Sequence, residues 1–254
     1  MEKNEIKDLT LASVFAAIIL LMTFVPQIGY ITIGTVALTL IHIPVLIGVF
    51  LLPKKYSLVL ALFFGLGSLI RAATTPTGPL DPAFVNPLVS VLPRLLFALA
   101  AIYIVELFKV IEVKVKNSDI YIFGLVTLIT SLGIYYAGQA IIGFTAWNST
   151  LITILFLVIN VGFIMGYYAF IKKSDHDKIL IPSTLILATF IHTVLVLTAL
   201  VVFERALVTT LIPSDQLFGL IVSIAVTNGL VEAILAAFIG TPILLALQKV
   251  KEKQ

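Results

Sequence analysis

Ile120–Ile171 reads IYIFGLVTLITSLGIYYAGQAIIGFTAWNSTLITILFLVINVGFIMGYYAFI and carries no charged side chain. A water-exposed segment cannot stay this apolar for so long, whereas a bilayer core of about 30 Å needs about 20 mostly apolar helical residues. The single polar break, Thr145–Thr150, divides the stretch into two predicted membrane helices, about Tyr121–Phe144 and Leu151–Ile171. Within the break, Asn148-Ser149-Thr150 matches a glycosylation acceptor, but a polar hairpin turn is the reading its neighbours favour. Gly162-x-x-x-Gly166, like Ala233-x-x-x-Ala237 further on, is a weak signal for close helix approach.

The rest of the chain agrees. It is 60% hydrophobic and 11% charged, with mean hydropathy +1.17, where a soluble domain carries about 25% charged residues. Six further spans are predicted, about Thr10–Gln27, Val36–Leu52, Tyr56–Ala73, Leu88–Val110, Ile179–Phe203 and Leu217–Leu247. The reading is an all-α integral membrane protein with about eight transmembrane helices. The segment Thr74–Pro87, TTPTGPLDPAFVNP, is not a span, because its four prolines remove donors and disfavour helix before themselves.

Lys and Arg fix the expected orientation. Lys3 and Lys7, Lys54 and Lys55, Lys109–Lys116, Lys172–Lys178 and Lys249–Lys253 fall on one side; the other side carries little beyond Arg71 and Arg205. The positive-inside rule then places both termini in the cytoplasm. The net charge of +3 reports this loop bias, so no nucleic-acid partner is expected. The first apolar run is too long for a cleavable signal peptide and leads at once into further spans. No Gly-rich phosphate loop is present, so no ATPase motor is encoded. With no cysteine, thiol chemistry and Cys-ligated metals are excluded. No cofactor is expected, and no paired acids or nucleophile–base set points to an enzyme.

Polar groups at span depth need partners or water. Arg94 lies about 9 Å into its span at 1.5 Å per residue, as an anchor for an anionic ligand or as a structural partner of Asp81 or loop carbonyls. Arg71, at the outer end of its helix, reads as a snorkelling residue or a second cationic contact. His42 and His192 read as interhelical donors or ligand contacts and, alone, make a poor metal signal. Asn228 and Glu232 stand i and i+4 on one face of the last helix; Asn228 suits a polar ligand, Glu232 a structural partner. In the first helix Ala12-x-x-x-Ala16 would let another helix approach closely.

Several of these segments resemble the substrate-binding S components of energy-coupling factor (ECF) vitamin transporters. The carrying residues are Ala12-x-x-x-Ala16, Phe24-Val-Pro-Gln-Ile-Gly-Tyr30, His42-Ile-Pro-Val45, Ser68-Leu-Ile-Arg71, Pro76-Thr-Gly-Pro-Leu80, Phe84-Val-Asn-Pro-Leu-Val-Ser-Val-Leu-Pro-Arg94, Ile191-His-Thr-Val-Leu-Val196 and Asn228. The resemblance covers about residues 8–112 and 179–250. It implies a six-helix core with residues 120–171 inserted as a two-helix hairpin. It also implies a lid at Thr74–Pro87 and a scaffold contact at Ala12 and Ala16. The partners it implies are a small-molecule vitamin, a membrane scaffold subunit and two ATPase subunits, in the cell membrane of a prokaryote. Pantothenate-type members are the most similar. Arg94, Arg71, Asn86 and Asn228 suit that hydroxylated carboxylate, with Tyr30, His42 and His192 completing the expected site. Pyridoxine, hydroxymethylpyrimidine, folate and cobalamin remain alternatives, as does a self-sufficient ion-coupled carrier.

Overall fold

A computed structural model describes residues 3–33, 36–76, 78–144, 147–172, 177–211 and 217–252. Thr77, Pro213 and most of the connection at 172–178 lie outside them. In chain order the elements are α1 (Lys3–Phe24), α2 (Pro26–Gly29), β1 (Tyr30–Ile33), β2 (Val36–Thr39), α3 (His42–Leu51) and α4 (Lys54–Thr74). A 3₁₀ turn (Asp81–Val85), α5 (Pro87–Ser90) and α6 (Leu92–Lys114) follow. The remaining elements are α7 (Ser118–Phe144), α8 (Ser149–Lys172), α9 (Asp177–Phe203), α10 (Arg205–Leu211) and α11 (Leu217–Glu252). Seven of the described helices are long and apolar enough to cross a membrane, so the all-α integral membrane class holds.

The second expected span in chain order, Val36–Leu52, takes a different form. Its first half is β2, antiparallel to β1 with Tyr30 opposite Thr39; only its second half is helical, as α3. The β-branched content of Tyr30–Thr39 favours a strand pair over a helix, and Pro53 forces Leu52 into extended backbone, which ends α3. At 1.5 Å per residue, ten residues rise about 15 Å. His42 opens α3 at mid-height, facing His192 near the middle of α9. Leu51 closes it beside Lys54 and Lys55, which pair with Glu106 of α6 and, at 3.7 Å, Glu5 of α1.

The main core joins α1, α3, α4, α6, α9 and α11 through Ile19, Leu46, Leu60, Phe64, Phe97, Leu185 and Leu244. Ala12 and Ala16 belong to this core and are 5% and 8% exposed. The small-residue face of α1 is therefore spent on close packing inside the chain, not on the surface expected for a scaffold contact. The face of α1 that is open carries Val14, Ile18 and Leu21.

Close approach at Gly65 sets the geometry of the site. A Cβ there would lie 2.8 Å from the Val91 Cα and 3.2 Å from the Ser90 carbonyl oxygen. Its absence lets α4 press against the α5–α6 junction. The hairpin of α7 and α8 packs behind α9 and α11. Ile134 and Ala137 meet Leu230, and Val126 and Tyr167 meet Ile186 and Ala233. Tyr167 stacks between Phe123 and Phe163 and shares a 2.6 Å hydrogen bond with Ser183 of α9. Asn148 caps α8, its side-chain oxygen accepting from the Thr150 and Leu151 amides, as expected of a hairpin turn.

Candidate functional site

Of the polar residues singled out in the sequence, Tyr30, Arg71 and Arg94 come together where α4 finishes and α6 begins. Arg94 is at their centre. Pro93 at the start of α6 suits a helix N-terminus, and the following residue turns into the bundle, 7% exposed. Its Nη1 donates to the Val89 carbonyl at 2.9 Å and Nη2 reaches the Ser68 hydroxyl at 3.5 Å. Phe64 and Phe84 flank the guanidinium, with ring centroids 5.2 and 5.3 Å from its carbon. Its Nε finds no hydrogen-bond acceptor, and among the described residues no carboxylate lies within ion-pair distance of it. A buried cation held between aromatic faces, with donors to spare, is arranged to take an anion.

Arg71 sits beside it in a more balanced setting. Its guanidinium lies 4.4 Å from the Tyr30 ring and 3.9 Å from Asp81. Asp81 also accepts from the Gly78 amide at 3.0 Å, so Arg71 braces the turn. Burial pushes the Tyr30 phenol above its ordinary value, with Arg71 and Arg94 pulling the other way; the group stays a neutral donor at physiological pH.

Asn86 does structural work. Its side-chain oxygen caps α5 by accepting from the Leu88 amide at 3.0 Å. Its amide donates to Glu204 at the α9–α10 corner at 2.7 Å. The loop after α4 is thereby fastened across the top of α9.

His42 and His192 face each other deeper in the bundle, ring centroids 5.8 Å apart. Phe97 packs against both, at 6.4 and 4.8 Å, and Phe64 lies 5.5 Å from His192. No nitrogen of either ring makes a hydrogen bond of good geometry; the Thr39 backbone is the group close enough to His42 to approach one. Phe64 thus packs near both Arg94 and His192.

Asn228 is half-buried on α11. Glu232, one turn on, accepts from the Thr39 amide at 2.7 Å and holds β2 against α11. This is the structural partnership its spacing suggested. The bond lies well inside the membrane-crossing segment Val222–Val250, about 15 Å from its start. Non-helical backbone at such depth is tolerated only where protein buries it or where it lines a water-filled cavity. The Thr39–Glu232 bond pairs this non-helical backbone with protein. Sequence reading missed the aromatic partners Phe64, Phe84 and Phe97. Only the α4 period linking Phe64, Ser68 and Arg71 on one helical face carried a signal for them.

The family model for "ECF transporter, substrate-specific component" matches residues 7–244. The chain belongs to this family. As such it is a multi-pass membrane component of a transporter, concerned with recognising a small molecule. Over 103 residues it is 35% identical to the pantothenate transporter PanT of Leuconostoc mesenteroides subsp. mesenteroides. That match takes in 39% of this chain and spans half the length of the relative.

Proposed function

We propose that this S component is the high-affinity binding subunit of an ECF-type importer for a small water-soluble vitamin, with pantothenate as the ligand. The observation that carries the reading is Arg94, a buried guanidinium with an unfilled donor and no carboxylate within ion-pair distance among the described residues. In this reading a carboxylate ligand supplies the missing charge, and Arg71, Tyr30 and Asn228 meet its remaining polar groups; the support is that Tyr30 and Arg71 lie beside one another next to Arg94. The partial likeness to a pantothenate transporter supports the same choice.

In this reading α1, α3, α4, α6, α9 and α11 form the six-helix core, and 120–171 is an insertion. Its support is that α8 packs chiefly on α7 and has only 6% of its apolar window buried. The loop after α4 serves as the lid, with Asn86 as its fastening. Energy comes from a scaffold subunit and two ATPase subunits. The loop charges place both termini on the cytoplasmic face of a prokaryotic cell membrane, with the site facing outward. If a scaffold meets α1, the open Val14–Ile18–Leu21 face is available to it while Ala12 and Ala16 are not.

Calorimetry with purified protein tests the ligand. Pantothenate is expected to bind at least about tenfold more tightly than pantothenol, which lacks the carboxylate, since hydrogen bonds to a charged group are worth about 1.5–3 kcal/mol. Equal affinities would remove the role assigned to Arg94. Uptake into vesicles by this chain alone, without ATPase subunits, would overturn the importer reading.

A further inference from the structure

Two buried imidazoles at the floor of the site are not explained by a carboxylate contact. His42 is wholly buried and His192 is 5% exposed. Each ring holds one donor and one acceptor when neutral; no nitrogen makes a hydrogen bond of good geometry within the chain, and the Thr39 backbone approaches His42 alone. A buried polar group left unsatisfied costs about 1–3 kcal/mol, so a pair of such groups side by side is poorly accounted for as packing. The pair is also unsuited to an anion or a metal. No third ligating side chain joins them among the described residues, and the fixed positive charge that would draw an anion belongs to Arg94, which packs against Phe64 beside them. What two neutral imidazoles can do together is donate to and accept from a hydroxyl, which needs one of each.

We propose that His42 and His192 form a second, neutral subsite that reads a hydroxyl group of the ligand, with Phe64 packed near both it and the carboxylate subsite at Arg94. The assignment rests on the reading of a carboxylate-bearing ligand at Arg94, and it divides the labour of recognition. Arg94 supplies attraction for the charged end. The imidazoles supply selectivity, because a site built to hydrogen-bond a hydroxyl strongly rejects the analogue that lacks it. Phe64 and Phe97 hold both rings in place and keep competing water away from the spacer between the two ends. Of the remaining charged groups, Glu232 faces the pair from α11 through the Thr39 backbone it holds, and its role is to place β2 and the start of α3.

The test compares pantothenate with its dideoxy analogue, in which both hydroxyls are replaced by hydrogen. Wild type should prefer pantothenate about tenfold or more. His192→Phe fills the same space without hydrogen bonding and should abolish the preference while leaving the affinity for the dideoxy analogue within about twofold. His192→Gln retains a donor and an acceptor and should recover part of the preference, which also shows that the position tolerates change. If His192→Phe weakens both ligands by the same factor, or leaves the preference intact, the subsite assignment is wrong. Should wild type bind neither compound, the pantothenate reading fails by itself. The pair is then judged by native mass spectrometry of small molecules retained by wild type and His192→Phe. Retention by wild type alone upholds the subsite; equal retention, or none, overturns it.

Discussion

α3 and α8 are both apolar helices, yet they occupy opposite extremes of the molecule. α3 is ten residues long, and His42, Ile43, Pro44, Val45, Leu46, Ile47, Gly48 and Leu51 are all buried. α8 is 24 residues long and leaves Leu151, Leu155, Val158, Val161 and Met165 more than half exposed. In water the second helix would be untenable; in a bilayer its open face is solvated by lipid. The contrast extends to polar groups. In the hairpin, Ser131 donates to Asn160 at 2.8 Å and the Asn160 amide returns a bond to the Ser131 carbonyl at 3.2 Å. The hairpin thus pairs Asn160 with Ser131 and leaves only the Thr130 hydroxyl among its described buried polar atoms without a partner, whereas around α3 the atoms lacking a hydrogen bond of good geometry belong to two imidazoles and a guanidinium.

The largest expected effect lies on the α3 side. Arg94→Ala should weaken pantothenate binding about a hundredfold, the upper end of what a charge-assisted contact supplies. Arg94→Lys should recover little, because an ammonium cannot fill the planar slot between Phe64 and Phe84. Calorimetry on detergent-purified variants reads both. An affinity for Arg94→Ala within threefold of wild type would make the guanidinium a structural brace and dissolve the contrast.

Next comes a substitution on the α8 side. A Cβ at Gly138 would lie 2.9 Å from the Phe156 ring, so Gly138→Val must push α8 off α7. Overpacking of this kind costs about 1–3 kcal/mol, and thermal unfolding should start correspondingly earlier. Ligand affinity should stay unchanged, since α8 contributes nothing to the site. A fall in affinity matching the fall in stability would mean the hairpin helps set the positions of α9 and α11.

What the sequence made legible follows the same division. The charge-free run 120–171 forecast α7 and α8 nearly to the residue, because length and polarity alone decide a lipid-facing helix. The β2–α3 passage reads in sequence as one more span, Val36–Leu52, because its composition is equally apolar. What distinguishes it is tertiary: a strand pair survives there only because Glu232, distant in sequence, takes the Thr39 amide. Ala12 and Ala16 show the same limit. Small residues four apart announce close packing but not with which neighbour, and here the neighbour lies within the chain. Arg94 and the histidines were legible as costly residues in lipid, whereas their aromatic surroundings depended on α4 and α6 meeting at Gly65.

A smaller effect should come from the loop that covers the site. Asn86→Ala removes the α5 cap and the bond to Glu204, a loss of about 1 kcal/mol for the cap. If the loop is a lid, stopped-flow measurement should show ligand leaving roughly fivefold faster, with the association rate little changed. An unchanged dissociation rate alongside lowered stability would leave Asn86 a structural residue only.

The smallest expected change tests the hairpin side directly. Asn160→Leu removes the reciprocal pair with Ser131, leaving Ser131 free to bond to its own helix. Polar interhelical contacts in membranes average about 0.6 kcal/mol, because in the unfolded state the same groups also find partners in the membrane. Stability should fall by about that much, at the edge of detection in a denaturant series, and ligand affinity should not move. The value lies in the asymmetry with His192. Both are polar residues inside apolar helices, and their sequences offer no reason to rank one above the other. If Asn160 proved as costly to replace as His192, satisfaction by a protein partner would not be what separates structural from ligand-facing groups in this fold, and the orphaned nitrogens around α3 would lose their standing as markers of the site.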